Sequence, residues 1–382
     1  MSTLAGAIIV SLLSIHGARA VGGAFGYATG TTGGGSAAQA IPSSTSQLVS
    51  WLEDSTARTI VLDKIFDFTD TEGSVTGTVC SPWSCSPNPQ QMLDNSSGTN
   101  CASSPKSTGT WKKAGTNAIK VGSNKTLLGK GSAAGIKGKG LQISGVSNVI
   151  IQNLRISDIN ARYVWGGDAI LVDNSSKVWI DHNHFQNVGR QFIVTGFGAA
   201  NGVTISNNIF DGTATYSTGC DGHHYWVFLF AGNGDKITLA KNYIHTTAGR
   251  GPHIGGMTGY SLALHAYNNY FSDITGHALD PALGSHSLFE GNYFSSVKTP
   301  VTTNTDGAAY VPTTSTHASS CSSYISRNCV LNSFTSSGSV NRADLGALLT
   351  FQGVSTVKSA SVMDASSVPS SVQANAGLGK IN

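Results

Sequence analysis

The sequence predicts an all-β protein built as a parallel β-helix. Between residues 145 and 297 a short pattern recurs: alternating β-branched or apolar residues, then polar residues, then Asn followed by an apolar or aromatic pair. The spacings between these asparagines are 30, 25, 34, 27 and 23 residues, which fits one solenoid coil per repeat with loops of variable length. The strands are too short and too regularly interrupted to alternate with helices. The repeated residues are Asn153, Asn183, Asn208, Asn242, Asn269 and Asn292.

The repeated asparagine has a structural interpretation. At a bend between strands, an Asn side chain can hydrogen-bond its counterpart in the next coil and satisfy backbone groups that the bend leaves unpaired. Continuous apolar runs such as "VIIQNLRI" are expected to face a dry interior. Trp179 lies within a strand pattern and is predicted to pack, because lone aromatic residues in strands usually do.

The segments that flank the repeats have other patterns. Leu48, Trp51 and Leu52 have helical spacing and precede a strand-like "TIVL", so we expect a helix that caps the coils. Residues 76–115 are rich in Ser, Pro and Gly and carry three cysteines, which predicts a long disulfide-tied loop. The Ser/Thr/Val-rich tail from about 310 to 382 is expected to fold across the outside. Residues 21–382 then form one domain, with a repeat core at about 120–300.

Composition and the N-terminus favour a secreted protein. The 382 residues include only 11% charged side chains, and the formal net charge of +3 without Lys/Arg blocks gives no nucleic-acid footprint. The first twenty residues contain an apolar stretch too short to span a membrane, followed by Ala18-Arg19-Ala20, which has the form of a signal-peptidase site. We expect cleavage after Ala20, and no other segment is apolar enough for a membrane span.

The cysteines and sequons agree with secretion. Six cysteines, an even number without a CxxC pair, favour disulfides over a metal site. Cys321 and Cys329 are close enough in sequence to close a small loop. His182 and His184 lack a suitable third ligand, so no metal is predicted. Three sequons are candidate glycosylation sites, at Asn95, Asn124 and Asn174.

Five motifs together resemble the pectate/pectin lyase superfamily, specifically its secreted fungal-type pectin lyases. They are "WGGDAI" (165–170), "VWIDH" (178–182), "GRQ" (189–191), "DGHHYW" (221–226) and "GRGP" (249–252). The resemblance implies a right-handed, single-stranded parallel β-helix whose long loops form a substrate groove. It also implies endo-acting β-elimination of α-1,4-linked, methyl-esterified galacturonan by a monomeric, extracellular enzyme without a cofactor.

The resemblance assigns charged residues to the site. Asp168 and Arg190 are similar to the family's cleft aspartate and arginine, and Arg250 to its catalytic arginine. Pectate lyases have a calcium-binding aspartate where this chain has Arg190, so calcium is not expected. His253 stands where related pectin lyases tend to have Lys. The resemblance also implies the disulfides Cys80–Cys101 and Cys85–Cys220.

Aromatic residues complete the expected site. Trp165, Tyr225 and Trp226 resemble the lining of the pectin lyase cleft, with Trp83 a further member, and aromatic faces suit an uncharged, esterified sugar. His223 and His224 are expected either to contact sugar hydroxyls or to shape their loop.

The chemistry leaves alternatives open. A guanidinium is practically always protonated, so Arg250 could accept the proton or could stabilise the enolate while His253 or water is the base. A calcium-dependent pectate lyase and a non-catalytic carbohydrate-binding β-solenoid are the alternative functions. A galacturonan hydrolase would need paired carboxylates, and the repeats contain none.

Overall fold

The computed structural model describes residue 20, residues 22–95 and residues 97–381. The predicted signal sequence, apart from Ala20, lies outside the described residues. Within the described ranges, no helix is long and apolar enough to cross a membrane.

The chain forms a parallel β-helix, as the repeats predict. Each coil contributes a strand to each of three sheets, and strands of successive coils pair in parallel. In the described residues the first sheet has ten strands, in stacking order Gln39–Ala40, Arg58–Leu62, Lys125–Gly129, Ser147–Gln152, Ser175–Asp181, Ala200–Ser206, Lys236–Ala240, Leu262–Tyr267, Ser285–Glu290 and Ala308–Tyr310.

The second and third sheets are joined by one long strand, Tyr270–Pro281, which pairs in both. The second sheet stacks Ile65–Asp67, Gly135–Lys137, Arg155–Ile159, His184–Val188, Ile209–Asp211, Tyr243–Thr247, the start of the long strand, Tyr293–Val301 and Ser333–Thr335. The third sheet stacks Ile119–Lys120, Leu141–Ser144, Ile170–Asp173, Ile193–Thr195, Phe228–Phe230, His253–Ile254 and the end of the long strand. The stacked strands therefore extend beyond the repeat core of 120–300 at both ends.

In-register stacking fills the interior with columns of like side chains. One column of the second sheet contains Phe185 and Phe210, whose rings stack with centroids 4.9 Å apart. Further along it, Phe294 stacks on Phe271 at 4.8 Å and on Phe334 at 5.0 Å. Such offset stacking adds to the area that each ring buries. The core is therefore continuous along the helix axis.

The asparagine repeat forms a buried hydrogen-bonded ladder, which confirms its structural interpretation. The Asn208 side-chain oxygen accepts hydrogen bonds from the backbone N–H (2.8 Å) and the side-chain amide (3.0 Å) of Asn183. The Asn208 amide donates to the Ile180 carbonyl at 3.0 Å. The same pattern continues through Asn242, Asn269, Asn292 and Asn332.

Asn153 is not a member of this ladder, so that assignment was wrong by one position. Gln152 pairs with Asp181, which aligns Leu154 with the ladder residue Asn183. Asn153 aligns instead with His182, and both adopt a left-handed backbone conformation, with φ of 58° and 54°. Asn is tolerated there because it readily adopts that conformation.

The N-terminal flank contains the predicted helix, but it also contains an unpredicted sheet. The helix spans Thr45–Glu53 and buries Leu48 and Leu52. Residues 76–115 are not simply a loop, because Ser74–Cys80 pairs antiparallel with Lys106–Lys112. Two further strands, Gln91–Leu93 and Tyr163–Val164, complete this lateral sheet. Gly77 makes the pairing possible, because a Cβ there would lie 2.8 Å from the Trp111 ring.

The cysteines pair as Cys80–Cys101, Cys85–Cys220 and Cys321–Cys329. The first links the ends of the lateral sheet, and the second ties the following loop to the coils. Asn95, Asn124 and Asn174 are exposed, and their glycosylation stays a prediction. Trp179 is buried, as predicted, although it packs under the N-terminal segment on the outer face of the first sheet.

The C-terminal segment lies against the outside of the coils. Its helices span Ser315–Ser320, Ser322–Ile325, Leu345–Leu349, Ser355–Lys358 and Val368–Asn375. The last helix packs on a row of tyrosines that includes Tyr243 and Tyr270. Arg327 donates to the buried Glu290 carboxylate at 2.8 and 2.6 Å, which fixes the segment to the first sheet.

The ladder gives a direct stability prediction. Asn208→Ala removes the acceptor of Asn183 and the donor to Ile180 in a site that water does not reach, so the free energy of unfolding should fall by about 2–4 kcal/mol. Urea denaturation followed by circular dichroism measures the change. Asn201→Ala, which removes an exposed Asn of the preceding strand Ala200–Ser206, serves as control. Equal effects of the two substitutions would contradict a stabilising ladder.

Candidate active site

The candidate site lies where the chain enters the third sheet. Asp168, Arg190, Trp226 and Arg250 each precede a strand of this sheet by two or three residues. Because those strands stack in register, side chains far apart in sequence form one row along the helix axis. The sequence motifs of the site thus meet through coil stacking.

Asp168 and Arg190 form a bidentate ion pair. Arg190 donates from Nε to Oδ1 at 2.8 Å and from Nη2 to Oδ2 at 2.6 Å. The backbone N–H of Gln191 also donates to Oδ1 at 2.8 Å. The guanidinium carbon lies 4.0 Å from the ring centroid of Trp165, whose side chain is exposed. Planar pairing and stacking together fix both the position and the orientation of the Arg190 charge.

This arrangement does not suit a divalent cation. Both carboxylate oxygens of Asp168 accept hydrogen bonds from Arg190, and the guanidinium brings a positive charge to the place where a cation would bind. Among the described residues there is no group of three or more His, Cys, Asp or Glu side chains that could hold a metal ion. The donor set therefore does not fit calcium, and no reaction step is assigned to a metal.

Arg250, the second arginine of the site, lies beside two aromatic rings. Its guanidinium carbon is 4.8 Å from the Trp226 ring centroid and 6.0 Å from that of Tyr225. Gly249 is needed there, since a Cβ would come within 2.4 Å of the Tyr225 ring. Burial lowers the pKa of Arg250 and the charge of Arg190 lowers it further, while Tyr225 and Asp280 oppose the shift without cancelling it.

Two tryptophans form a wall next to Arg250. Trp83 meets Trp226 edge-on with ring centroids 6.3 Å apart. The Cys85–Cys220 disulfide holds the loop of Trp83 against the segment that carries Trp226. The structure thus brings Trp83, Tyr225 and Trp226 together around Arg250, while Trp165 lies with Arg190.

His253 and His223 have different surroundings. His253 Nδ1 lies 2.6 Å from the Asp280 carboxylate, and this hydrogen bond is the main reason that the pKa of Asp280 falls to about 2. Asp280 in turn acts electrostatically on Arg250. The His223 ring instead contacts the Asp273 carboxylate at 3.1 Å and the Asp221 carbonyl at 2.8 Å. These contacts favour a loop-shaping role for His223.

Sequence reasoning missed a buried glutamine that positions the wall. Gln90 is 1% exposed, and its side-chain oxygen accepts a hydrogen bond from the Trp226 indole at 2.9 Å. Its amide donates to the carbonyls of Ala161 (3.0 Å) and Gly189 (2.7 Å). One side chain therefore connects Trp226 to the residue before Arg190. No sequence motif identifies Gln90, because its partners lie 71 to 136 residues away.

His277 was not assigned to the site, and His224, like His223, was expected either to contact sugar or to shape its loop. Burial lowers the pKa of His224 to about 4, so its ring is neutral near pH 7. Its Nε2 lies 2.8 Å from the Arg190 carbonyl and 3.0 Å from the Trp226 carbonyl, to which a neutral N–H can donate. His277 Nε2 lies 3.3 Å from the Tyr225 hydroxyl. The "HH" motif could have suggested that His224 contacts backbone groups near the site. No sequence motif near His277 indicates its contact with Tyr225.

The site can bind and stabilise negative charge next to apolar ring surfaces. Its two carboxylates, Asp168 and Asp280, are each bound to a basic side chain, so they do not form the free acid pair of a glycosidase. The fold and site define a β-helix protein with two fixed guanidinium groups along one side.

Comparison with known proteins gives the family. A family model described as pectate lyase matches residues 1–381, and the chain belongs to that family. The probable pectin lyase F-2 of Aspergillus terreus is 48% identical over 374 residues, 96% of this chain and 76% of the relative. Over 378 residues, 98% of each chain, the probable pectin lyase A of Neosartorya fischeri is 47% identical and pectin lyase B of Emericella nidulans is 45% identical.

Solved structures agree on the fold. A pectate lyase of Bacillus sp. N165, in complex with trigalacturonate, has a TM-score of 0.62 at 22% identity, covering 94% of this chain and 100% of that chain. A pectate lyase bound to a hexasaccharide has a TM-score of 0.61 at 19% identity, with 94% and 97% coverage. The expected parallel β-helix is therefore also the fold of these enzymes.

The Gln90 contacts predict an optical change. Gln90→Leu leaves the Trp226 indole without its acceptor, so the ring should become more exposed and iodide should quench tryptophan fluorescence more strongly. The increase should vanish in a Trp226→Phe background. Gln352→Leu, at an exposed position on the C-terminal segment, should cause no change. Unaltered quenching in a folded Gln90→Leu variant would contradict the positioning role.

Proposed function

We propose that the protein is an endo-acting pectin lyase that cleaves α-1,4-linked, methyl-esterified galacturonan by β-elimination. The observation that carries the proposal is the fixed Asp168–Arg190 ion pair in one row with Arg250. The relatives named pectin lyases, which match 94–98% of the chain, support the same reaction.

β-Elimination needs stabilisation of a developing negative charge. The base removes the proton from C5, the electron pair forms the C4–C5 double bond, and the glycosidic oxygen leaves C4 and takes a proton from water. A methyl ester makes the C5 proton more acidic than a carboxylate does, because the enolate then carries one negative charge instead of two. Arg190, held rigid by Asp168, can stabilise that enolate without reorganisation during the reaction.

Arg250 is proposed as the proton acceptor. Burial and the charge of Arg190 both lower its pKa, which increases the fraction of neutral guanidine. His253 is the alternative base. However, its Nδ1 is hydrogen-bonded to Asp280, so only Nε2 could accept the proton. If Arg250 is not the base, its remaining role is electrostatic stabilisation next to Arg190.

Secretion and a monomeric state belong to the same proposal. Three disulfides favour an oxidising compartment. Residues 1–20 have the form of a signal sequence. Pectin, a plant cell-wall polymer, is an extracellular substrate, and cutting within a long chain requires only the open site of one copy.

Substitution of Arg250 tests its role. Arg250→Ala should reduce kcat by at least about a thousandfold while the melting temperature stays near that of the parent, because the guanidinium acts in the transition state. Arg250→Lys should also be severely impaired, since an ammonium cannot take the position of a planar guanidinium. Release of unsaturated, ultraviolet-absorbing product measures kcat. Arg155→Lys, on the second sheet, is the control and should keep the parental kcat. Substantial activity of either Arg250 variant would show that Arg250 is not the base and would assign that role to His253.

Substrate charge and chelation test the reaction class. We expect rapid formation of unsaturated product from highly methylated pectin, little from polygalacturonate, and unchanged rates in excess chelator, because Arg190 supplies the fixed positive charge. Reducing ends without unsaturation would indicate a hydrolase, and binding without cleavage would indicate a non-catalytic solenoid. Loss of activity on chelation that added calcium restores would replace the proposal with a calcium-dependent pectate lyase.

A further inference from the structure

The outward face of the third sheet carries an apolar stripe in the middle of a polar row. Side chains alternate along each strand, so Ile170, Ile193 and Phe228 enter the core while their successors point outward. These successors pair in register from coil to coil. In stacking order the outward row is Lys120, Gln142, Leu171, Val194, Leu229, His253 and Asp280.

The stripe, defined as Leu171, Val194 and Leu229, adjoins the reactive residues at both ends. Leu171 lines a pocket of about 280 Å³ together with Trp165, Asp168 and Arg190. At the other end Leu229 pairs with His253, the hydrogen-bonding partner of Asp280. Leu171 and Leu229 remain partly exposed, while Val194 between them is 4% exposed. Val194 is therefore covered, and the two leucines are the members of the stripe that a ligand can reach.

The spacing of the stripe fits a polymer that lies along the helix axis. Neighbouring strands in a sheet are about 4.8 Å apart, and a 1,4-linked pyranose chain advances by a similar length with each sugar. Leu171 and Leu229 are two strand spacings apart, so they match substituents that are carried two sugars apart. Apolar side chains there would gain nothing from hydroxyl or carboxylate groups, but they would gain burial energy from methyl groups.

We propose that Leu171 and Leu229, the exposed members of the stripe, select the substrate by binding its methyl ester groups. The inference rests on the proposed function and deepens it. Arg190 stabilises the ester carbonyl as it becomes an enolate, whereas the stripe contacts the methyl groups of the sugars in the reacting region. A free carboxylate in this region would lose hydration against leucine and would find no partner charge on the stripe. Specificity for esterified chains then resides in apolar contact as well as in the charge of Arg190.

Polar substitution of the two exposed leucines tests the stripe. Leu171→Asn and Leu229→Asn should each raise KM for fully methylated oligogalacturonate. The expected increase is about fourfold for each methyl contact that is lost, because burial of one methylene group contributes a factor of about that size. Values of kcat should change little, because neither side chain carries the charge chemistry. Leu229→Met, which stays apolar, should retain the parental KM. Leu349→Asn removes an exposed leucine from a C-terminal helix and is the matched control.

Introducing a positive charge at Leu229 should reverse the preference for methylated over demethylated substrate. Leu229→Lys should lower KM for partially demethylated oligogalacturonate and raise it for the fully methylated chain, a reversal that general destabilisation would not produce. The proposal is overturned if the folded Asn variants keep the parental KM ratio between the two substrates, or if Leu229→Lys does not shift that ratio. If the parent enzyme itself forms no unsaturated product from methylated chains, the proposed function fails and the stripe proposal fails with it.

Discussion

In-register stacking of the coils is the constraint on which the rest of the structure depends. Each residue lies directly above its counterpart in the next coil, so a position in the coil becomes a row along the helix axis. The interior rows become stacks of Phe and aliphatic side chains, and the bend row becomes the buried asparagine ladder. The row at the entrance to the third sheet becomes the candidate site. A shift of one residue between coils would disrupt all three together.

Charge balance explains why the site combines two arginines with so few acids. Asp168 compensates Arg190 and fixes its geometry, while Asp280 is engaged by His253 and acts on Arg250 only electrostatically. Burial, and to a smaller extent the charge of Arg190, lowers the pKa of Arg250. Positive charge at the site also favours an enolate. A divalent cation would meet a guanidinium at Asp168, so the protein provides the positive charge itself.

Sequence predicted the features that repeat or that form contiguous motifs. The asparagine spacing indicated the coils, and the short motifs around Asp168, Arg190 and Arg250 indicated the residues that the fold aligns. Asn153 was misassigned because the pattern "QNLRI" resembles the other repeats, although the ladder position is occupied there by Leu154. The strands within residues 76–115 were missed because their Ser, Thr and Gly content resembles a loop. Their pairing, the packing of Trp111 over Gly77 and the Cys80–Cys101 disulfide stabilise them as strands.

Long-range partners could not be predicted for a physical reason. Gln90 contacts Trp226, and His277 contacts Tyr225, across distances in sequence that only the completed coils bring together. His223 was expected near the sugar or in its loop, and its contact with Asp273, fifty residues away, forms only once the second sheet is in place. The hydrogen bond between His253 and Asp280 likewise depends on the pairing of the short strand His253–Ile254 with the end of the long strand.

The central claim is that Arg190, held by Asp168, supplies the positive charge that faces the reacting ester, with Arg250 at the C5 proton. The most direct measurement is a crystal structure of Arg250→Ala bound to a fully methylated oligogalacturonate, grown with calcium present. We expect an intact Asp168–Arg190 pair, with the Arg190 guanidinium at the ester carbonyl of one sugar. The C5 proton of that sugar should be directed at position 250, and no calcium should lie between protein and sugar. An oligosaccharide bound with its ester away from Arg190, or a calcium ion bridging Asp168 and the sugar, would contradict the central claim.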